Sequence, residues 1–356
     1  MHRRGPEVLP GGGLNDEQGT ATLNRIGVIG AGAWGTALAA AARRAGREVV
    51  LWAYEPEVAE AINKDHENTV YLPGVDLDPP IRATSDLAEA GGADALLLAV
   101  PAQKLRTVGG KLAEAVKPGT PAVICAKGIE QGSGALMSET AADVLPKCPL
   151  AILSGPTFAI EVARALPTAV TLACADAGLA EALSEAVRTK TFRVYHSTDV
   201  IGAQIGGAVK NVLAIACGIV EGRGLGDNAR AAIITRGLAE IVRLGLAKGA
   251  QADTFLGLCG LGDITLTCNA IQSRNFSLGV ALGRGETLDA VLGARKSVAE
   301  GVFTAASVTE LGRKLGVELP ISEAVNDILN RGADIDATVA GLLARPFKAE
   351  TPVPGG

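Results

Sequence analysis

From Arg25 onward the chain alternates short apolar runs with longer stretches of helical period. RIGVIGA, REVVLWA, DALLLAVPA, PAVICAKG, PLAILSGP, TAVTLAC and TFRVYHS are apolar or β-branched runs bounded by Gly, Pro or Asp, which is the pattern of buried strands. After the first of them, GTALAAAARRAG reads as a helix stopped at Gly46. Strands that are apolar throughout, with helices between them, predict a mainly parallel sheet covered on both faces. After His196 the pattern changes. STDVIGAQIGGAVKNVLAIACGIVEG, NARAAIITRGLAEIVRLGLAKG and the segments up to Arg345 read as helices, broken at glycines and at the Leu319–Pro320 step. In TRGLAEIVRLGLAKG, Leu238, Ile241, Val242 and Leu246 recur at helical spacing and predict the buried face.

The expected fold is therefore α/β: a Rossmann-like, doubly wound, mainly parallel sheet over residues 25–197, followed by an all-α helical domain over residues 198–345. Residues 1–24 carry Pro and Gly but no apolar core like that of a signal peptide, and read as a disordered leader. Residues 346–356 read as a flexible tail. The most apolar later stretch, around Val209 to Val220, is interrupted by Lys210 and Asn211 and reads as too short to span a bilayer. No membrane insertion is expected.

Composition narrows the picture further. A chain of 356 residues is long enough for two domains. It is rich in Gly and Ala and poor in aromatics, which suits closely packed helices. A net charge of -5 argues against a general nucleic-acid surface, although a phosphate can still be bound locally. The six cysteines form no CxxC pair and mostly sit in apolar runs, so buried free thiols and a reducing cytoplasm are expected. The three histidines are well separated, and no metal site is expected.

Gly30, Gly32 and Gly35 fit G-x-G-x-x-G between a strand and a helix. The first glycine permits a tight turn, the second lets backbone approach a pyrophosphate, and the third lets the helix pack closely on the strand. The helix N-terminus then offers N–H groups and the positive end of its dipole to the phosphates. A dinucleotide cofactor is implied. The residue that binds the adenine ribose normally ends the second strand, about 20 residues on. Here that region reads Leu51-Trp52-Ala53-Tyr54-Glu55, with Ala53 where an acid would select NAD and no arginine following. Glu55 is either a ribose ligand or a solvated turn carboxylate.

On the substrate side, Lys210 lies in Gly206-Gly207-Ala208-Val209-Lys210-Asn211-Val212. If buried there it would lose affinity for its proton and suit proton transfer; otherwise it snorkels to water. Lys127 follows an apolar strand, at the end that faces the ligand crevice of an open α/β sheet, or is an ordinary loop lysine. Gly155-Pro156-Thr157 follows another strand by the same logic. Asp263, after Gly260-Leu261-Gly262, either holds Lys210 or a substrate hydroxyl, or caps the helix ITLTCN. Ser273-Arg274-Asn275 suits a phosphate, since arginine offers a planar fork of donors, or else is a surface triplet.

Taken in order, IGAGAWGTALA, YLPG, AKGIE, SGPTFAIEVA, FRVY, IGGAVKNVLAIACGI, ITRGLAEI, GLGDITLTC, QSRN and VAEG resemble the NAD(P)-dependent sn-glycerol-3-phosphate dehydrogenases of bacteria, from about Arg25 to Arg345. The resemblance implies that Lys210 accepts the proton when glycerol 3-phosphate is oxidised to dihydroxyacetone phosphate. It implies substrate contacts from Lys127, Gly155, Thr157, Lys210, Asp263, Ser273, Arg274 and Asn275. It implies cofactor contacts, for NAD or NADP, from Gly30, Gly32, Ala33, Trp34, Gly35, Tyr54, Lys127, Ala159, Arg274, Val298 and Glu300. Ala33 departs from a common serine, and Ala53-Tyr54-Glu55 from the one or two arginines that often follow the tryptophan, so the choice between NAD and NADP stays open. The family role implied is supply of glycerol 3-phosphate for phospholipid synthesis, with a homodimer through the helical half as the expected assembly. Two other readings compete: a reductase of a different hydroxy or keto acid, and a dinucleotide-binding sensor without turnover.

Overall fold

The computed structural model describes residues 23–294 and 299–346; all but two residues of the predicted leader, all but one of the predicted tail, and Val298 lie outside them. Among the described residues, eight strands form one sheet: β1 (Arg25–Ile29), β2 (Glu48–Trp52), β3 (Arg82–Thr84), β4 (Ala95–Leu98), β5 (Ala122–Ile124), β6 (Leu150–Ser154), β7 (Thr168–Cys174) and β8 (Phe192–Ser197). Their order is β3-β2-β1-β4-β5-β6-β7-β8. The chain winds outward from β1 to β3, then crosses back to lay β4 beside β1. That reversal opens a crevice beyond the carboxyl ends of β1 and β4, where doubly wound sheets bind ligands.

Both faces are covered, as continuous apolar strands require. Ile26, Val28, Leu51 and Leu97 pack on one side with the first helix (Ala33–Arg44). Ile29, Val50, Leu96 and Leu98 pack on the other with Leu105 and Leu112. Two features differ from the sequence pattern. Strand β3 is only three residues long and went unread. Strand β7 runs antiparallel to β6, whereas every other pairing is parallel. The helix joining them, Ala159–Ala163, spans roughly 8 Å at 1.5 Å per residue, too little to carry the chain back across the sheet.

Beyond Ser197 the chain is helical. A 23-residue helix, Val200–Gly222, is the axis of this half, and every residue from Gly202 to Val220 is buried. Here the expectation of a segment too short to span a bilayer needs correction: the helix is long and apolar enough by length and composition. Its most apolar window is 89% buried, against helices Asp227–Lys248, Arg274–Gly283, Glu300–Leu315 and Pro320–Arg331. Against Arg274–Gly283 the contact is backbone to backbone. A Cβ on Gly279 would lie 2.9 Å from the Gly218 Cα, and one on Gly222 would lie 2.9 Å from the Gly283 Cα.

The buried face of Asp227–Lys248 also differs from the apolar pattern. Leu246 is exposed, and the face is formed by Gly237, Glu240, Ile241, Leu244 and Gly245. The polar member explains the shift. The Glu240 carboxylate accepts hydrogen bonds from the Ile321 N–H at 2.6 Å, the Ser322 N–H at 3.1 Å and the Ser322 hydroxyl at 2.9 Å. It thereby caps helix Pro320–Arg331, whose own N-cap, Leu319, has no side-chain acceptor.

Candidate active site

The glycine turn sits at the reversal of the sheet. Gly30 has φ +115°, a conformation costly for any residue with a Cβ. At Gly35 a Cβ would come within 1.8 Å of the Gly30 carbonyl oxygen, so strand and helix meet there at closest approach. Gly32 is different: a Cβ would meet nothing within 4 Å. Its lack of a side chain serves no contact inside the chain and leaves room in front of the helix N-terminus. Gly32 caps the first helix without a side-chain acceptor, and the indole Nε1 of Trp34 in its first turn is buried with no partner. An open glycine, an uncapped N-terminus and an orphaned donor fit a dinucleotide phosphate. The turn is braced from behind by Asn68, which donates from Nδ2 to the Ala31 carbonyl and to the Thr36 hydroxyl, both at 2.8 Å.

The second centre forms where the long helix meets the carboxyl ends of β5 and β6. Lys210 is buried, with a side chain only 8% exposed, so it does not snorkel. The small residues before it allow this. A Cβ on Gly206 would lie 2.3 Å from the Cys259 carbonyl oxygen, and one on Gly207 would lie 2.6 Å from the Ser154 hydroxyl and 3.5 Å from the Lys127 Cδ. Lys210 Nζ donates to Asp263 Oδ1 at 2.5 Å and to Thr267 Oγ1 at 2.9 Å. Lys127 Nζ donates to Asp263 Oδ2 at 2.7 Å and to the Gly155 carbonyl at 2.8 Å. Asp263, fully buried, thus divides its two oxygens between two lysines. It opens helix Asp263–Thr267 after a π-helical turn, Leu258–Gly262, and points to the amines, so the capping alternative does not hold.

Burial lowers the Lys210 pKa to about 8, with the charge of Lys127 assisting, against the opposing pull of Asp263. Each ammonium has two partners among the described residues, which leaves one of its three donor positions for a ligand. The Gly155 carbonyl also accepts from the Thr157 hydroxyl at 3.3 Å, which holds the loop after β6 against this cluster.

Of the polar triplet, Arg274 is exposed, whereas Ser273 and Asn275 are buried, so it is no ordinary surface trio. Ser273 caps helix Arg274–Gly283, accepting from the Phe276 N–H. Asn275 accepts from the Gly301 N–H at 3.0 Å and donates to Asn211, the neighbour of Lys210, at 2.9 Å. Glu300 accepts from the Ala102 N–H with one oxygen and has the other buried without a partner. Burial raises its pKa, and the Ala102 N–H and then the charge of Arg274 pull it part of the way back. Ala159 opens the short helix after β6, Tyr54 is exposed beyond β2, and Val298 lies outside the described residues.

Four polar residues of this region escaped the sequence reading: Asn68, Ser154, Asn211 and Thr267. Only Thr267 carried a usable signal, because its spacing from Asp263, i to i+4, puts both on one helix face.

Two sequence family models match the chain. The one described as NAD-dependent glycerol-3-phosphate dehydrogenase N-terminus covers residues 25–180, and the one described as the C-terminus of the same enzyme covers residues 199–340. The chain is 63% identical over 330 residues to a glycerol-3-phosphate dehydrogenase [NAD(P)+] of Rhodospirillum rubrum, covering 92% of this chain and 94% of that one. It is 58% identical over 332 residues to the protein of that name from Parvibaculum lavamentivorans, covering 93% and 100%. Its structure is similar to the crystal structure of glycerol-3-phosphate dehydrogenase from Coxiella burnetii, with a TM-score of 0.87, 38% identity and coverage of 90% and 99%.

Proposed function

The chain belongs to the NAD-dependent glycerol-3-phosphate dehydrogenase family, and from that premise we propose how its own residues interconvert sn-glycerol 3-phosphate and dihydroxyacetone phosphate. Lys210 is the proton-transfer group. In oxidation its neutral amine takes the proton from the C2 hydroxyl; in reduction its ammonium returns it. The observation that carries this role is the buried amine beside Asp263 and Thr267, with one donor position left open and a pKa of about 8. When bound, the nicotinamide supplies the hydride acceptor or donor. Gly30, Gly32 and Gly35 shape its phosphate seat, and Trp34, Tyr54, Ala159 and Glu300 complete the cofactor side.

Lys127 holds the substrate hydroxyls in line with Lys210, aided by the Gly155–Thr157 loop, and Asp263, with one oxygen on each amine, sets the two lysines relative to each other. Arg274 takes the phosphate, with the positive pole of helix Arg274–Gly283 and Asn275 behind it. The chemistry then rests on alignment plus one proton transfer. Residues 25–197 supply most of the dinucleotide seat together with Lys127 and the Gly155–Thr157 loop, and residues 198–345 supply Lys210, Asp263, the phosphate anchor and Glu300. Residues 1–24 and 346–356 stay outside this division.

In the cell the reaction runs toward glycerol 3-phosphate for glycerophospholipid synthesis, in the cytoplasm. The six free cysteines are consistent with a reducing compartment. The assembly is a homodimer through the helical half, supported by exposed Leu256 and Ile271 there; sedimentation of a single monomeric species would exclude it.

The test of the chemistry follows nicotinamide absorbance with dihydroxyacetone phosphate as acceptor. Wild type turns over steadily. Lys210→Ala loses roughly 10²–10⁴-fold in kcat and keeps its dinucleotide affinity. Near-normal turnover in that variant would remove Lys210 from its role.

A further inference from the structure

Beyond β2 the chain meets a question its family membership leaves open, namely which of the two nicotinamide dinucleotides it prefers. We propose that Glu55, held in place by Tyr71, is the specificity-determining residue at the adenine ribose and selects NAD(H) over NADP(H). The inference rests on the dinucleotide reading above and deepens it.

Three observations carry it. First, Glu55 is no solvated turn carboxylate. It lies three residues past the end of β2, half-buried, and its Oε1 accepts a hydrogen bond from the Tyr71 hydroxyl at 2.9 Å. Although it opens helix Pro56–Asp65, its side chain caps no N–H of that helix. The carboxylate is aimed by Tyr71, and its second oxygen remains for a ribose hydroxyl.

Second, the brace is shared with the phosphate turn. The Tyr71 N–H donates to Asn68 Oδ1 at 3.0 Å, and Asn68 Nδ2 holds the Ala31 carbonyl and the Thr36 hydroxyl. One short segment therefore sets the position of Glu55 relative to Gly30–Gly32. Burial, the bond to Glu55 and the nearby charge of Glu57 all raise the phenol pKa of Tyr71, so it stays a donor.

Third, nothing in the surrounding turns would balance a 2′-phosphate. Residues 26–42, 53–63 and 83–103, which form the turns at the carboxyl ends of β1 to β4, contain no lysine or arginine. Arg43 and Arg44 lie in the last turn of the first helix and Lys64 in the last turn of helix Pro56–Asp65, each at the end away from the phosphates; Lys104 ends the helical turn Ala102–Lys104 after β4, and Arg82 is paired with Glu89. A ribose 2′-hydroxyl can donate to Glu55; a 2′-phosphate meets like charge instead.

Direct binding to the purified protein tests this without catalysis. Titrations of NADH and NADPH, and of ADP-ribose and its 2′-phosphorylated form, give four dissociation constants. Wild type is expected to bind the unphosphorylated member of each pair at least about tenfold more tightly, the scale of one hydrogen bond to a charged group. Glu55→Gln, which keeps size and polarity, narrows that ratio, and Tyr71→Phe narrows it less, both with unchanged thermal midpoints. Equal or tighter binding of the phosphorylated forms, or a ratio unmoved by Glu55→Gln, overturns the proposal while leaving the dinucleotide site intact. Failure of all four ligands to bind overturns both the proposal and the reading beneath it.

Discussion

Lys210 and Asp263 stand 53 positions apart in the chain and 2.5 Å apart, amine to carboxylate, in the interior. The pairing does not leave the lysine with an ordinary proton affinity, because desolvation outweighs the attraction of a carboxylate shared with a second lysine. The result is an amine that exchanges its proton near pH 8 rather than near 10.5.

Its pH dependence has a definite sign. Oxidation of glycerol 3-phosphate needs the neutral amine, so kcat is expected to rise through about pH 8 and then level off; reduction needs the ammonium and falls across the same range. Profiles measured in both directions should mirror each other. A flat response on either side would contradict the assignment.

The same shift acts on folding. The folded-state value of about 8 lies below the ordinary 10.5, so between them the unfolded chain holds the extra proton. The penalty from Lys210 is fully present below about 8 and relieved as pH rises toward 10.5. Urea midpoints compared between wild type and Lys210→Met should converge as pH rises from about 8 toward 10.5. Parallel curves would count against it.

Replacing Asp263 by Asn leaves two lysine amines facing a neutral amide. Removing one partner of a buried ion pair costs about 3–5 kcal/mol, and unfolding in urea should register a loss of that order. The Lys210 amine, without the pull of that carboxylate, should hold its proton less tightly, moving the kcat profile to lower pH. A profile that moves upward would mean that Asp263 does not act on Lys210 as its distance implies.

Thr267 offers a milder perturbation. Thr267→Val keeps the shape and removes the hydroxyl that accepts from Lys210 at 2.9 Å. A fall of about tenfold in kcat is expected, matching one lost hydrogen bond to a charged group, with dinucleotide affinity unchanged. Equal loss in both quantities would point to a general collapse of the site instead.

Two glycines of one turn should behave in opposite ways. Gly32→Ala adds a methyl to open space, so stability should hold within about 0.5 kcal/mol while dinucleotide affinity drops. Gly35→Ala drives a methyl into the Gly30 carbonyl and should destabilise the fold itself. Paired calorimetric unfolding and binding titrations separate them. Similar stability loss in both would mean that Gly32 is a packing residue.

The strands other than β3 could be read locally, since each is an apolar or β-branched run bounded by breakers, although β8 carries Arg193 and His196 on its exposed positions. Strand β3 could not: Arg-Ala-Thr has one apolar residue and takes its conformation from pairing with β2. The direction of β7 was equally hidden, because TAVTLAC reads the same either way and the length of the preceding connection decides. On Asp227–Lys248 the apolar count pointed to Leu246, whereas a buried carboxylate, Glu240, lies on the true inner face. Lysines within apolar or strand-end context stood out as candidates in sequence. Asp263 holding Lys210 was one alternative in the sequence; that Lys127 shares the same carboxylate was not, since tertiary packing alone brings residues 127, 210 and 263 together.

The glycine seam between the long helix and Arg274–Gly283 has one more consequence. With no side chain between Gly218 and Gly279, or between Gly222 and Gly283, there is nothing to repack and little to compress. The helix bearing Lys210 and the one bearing Arg274 are welded into a single lever, and the spacing of their backbones is set like a ruler. Any hinge that brings the sheet onto its substrate must bend elsewhere, leaving that ruler unchanged.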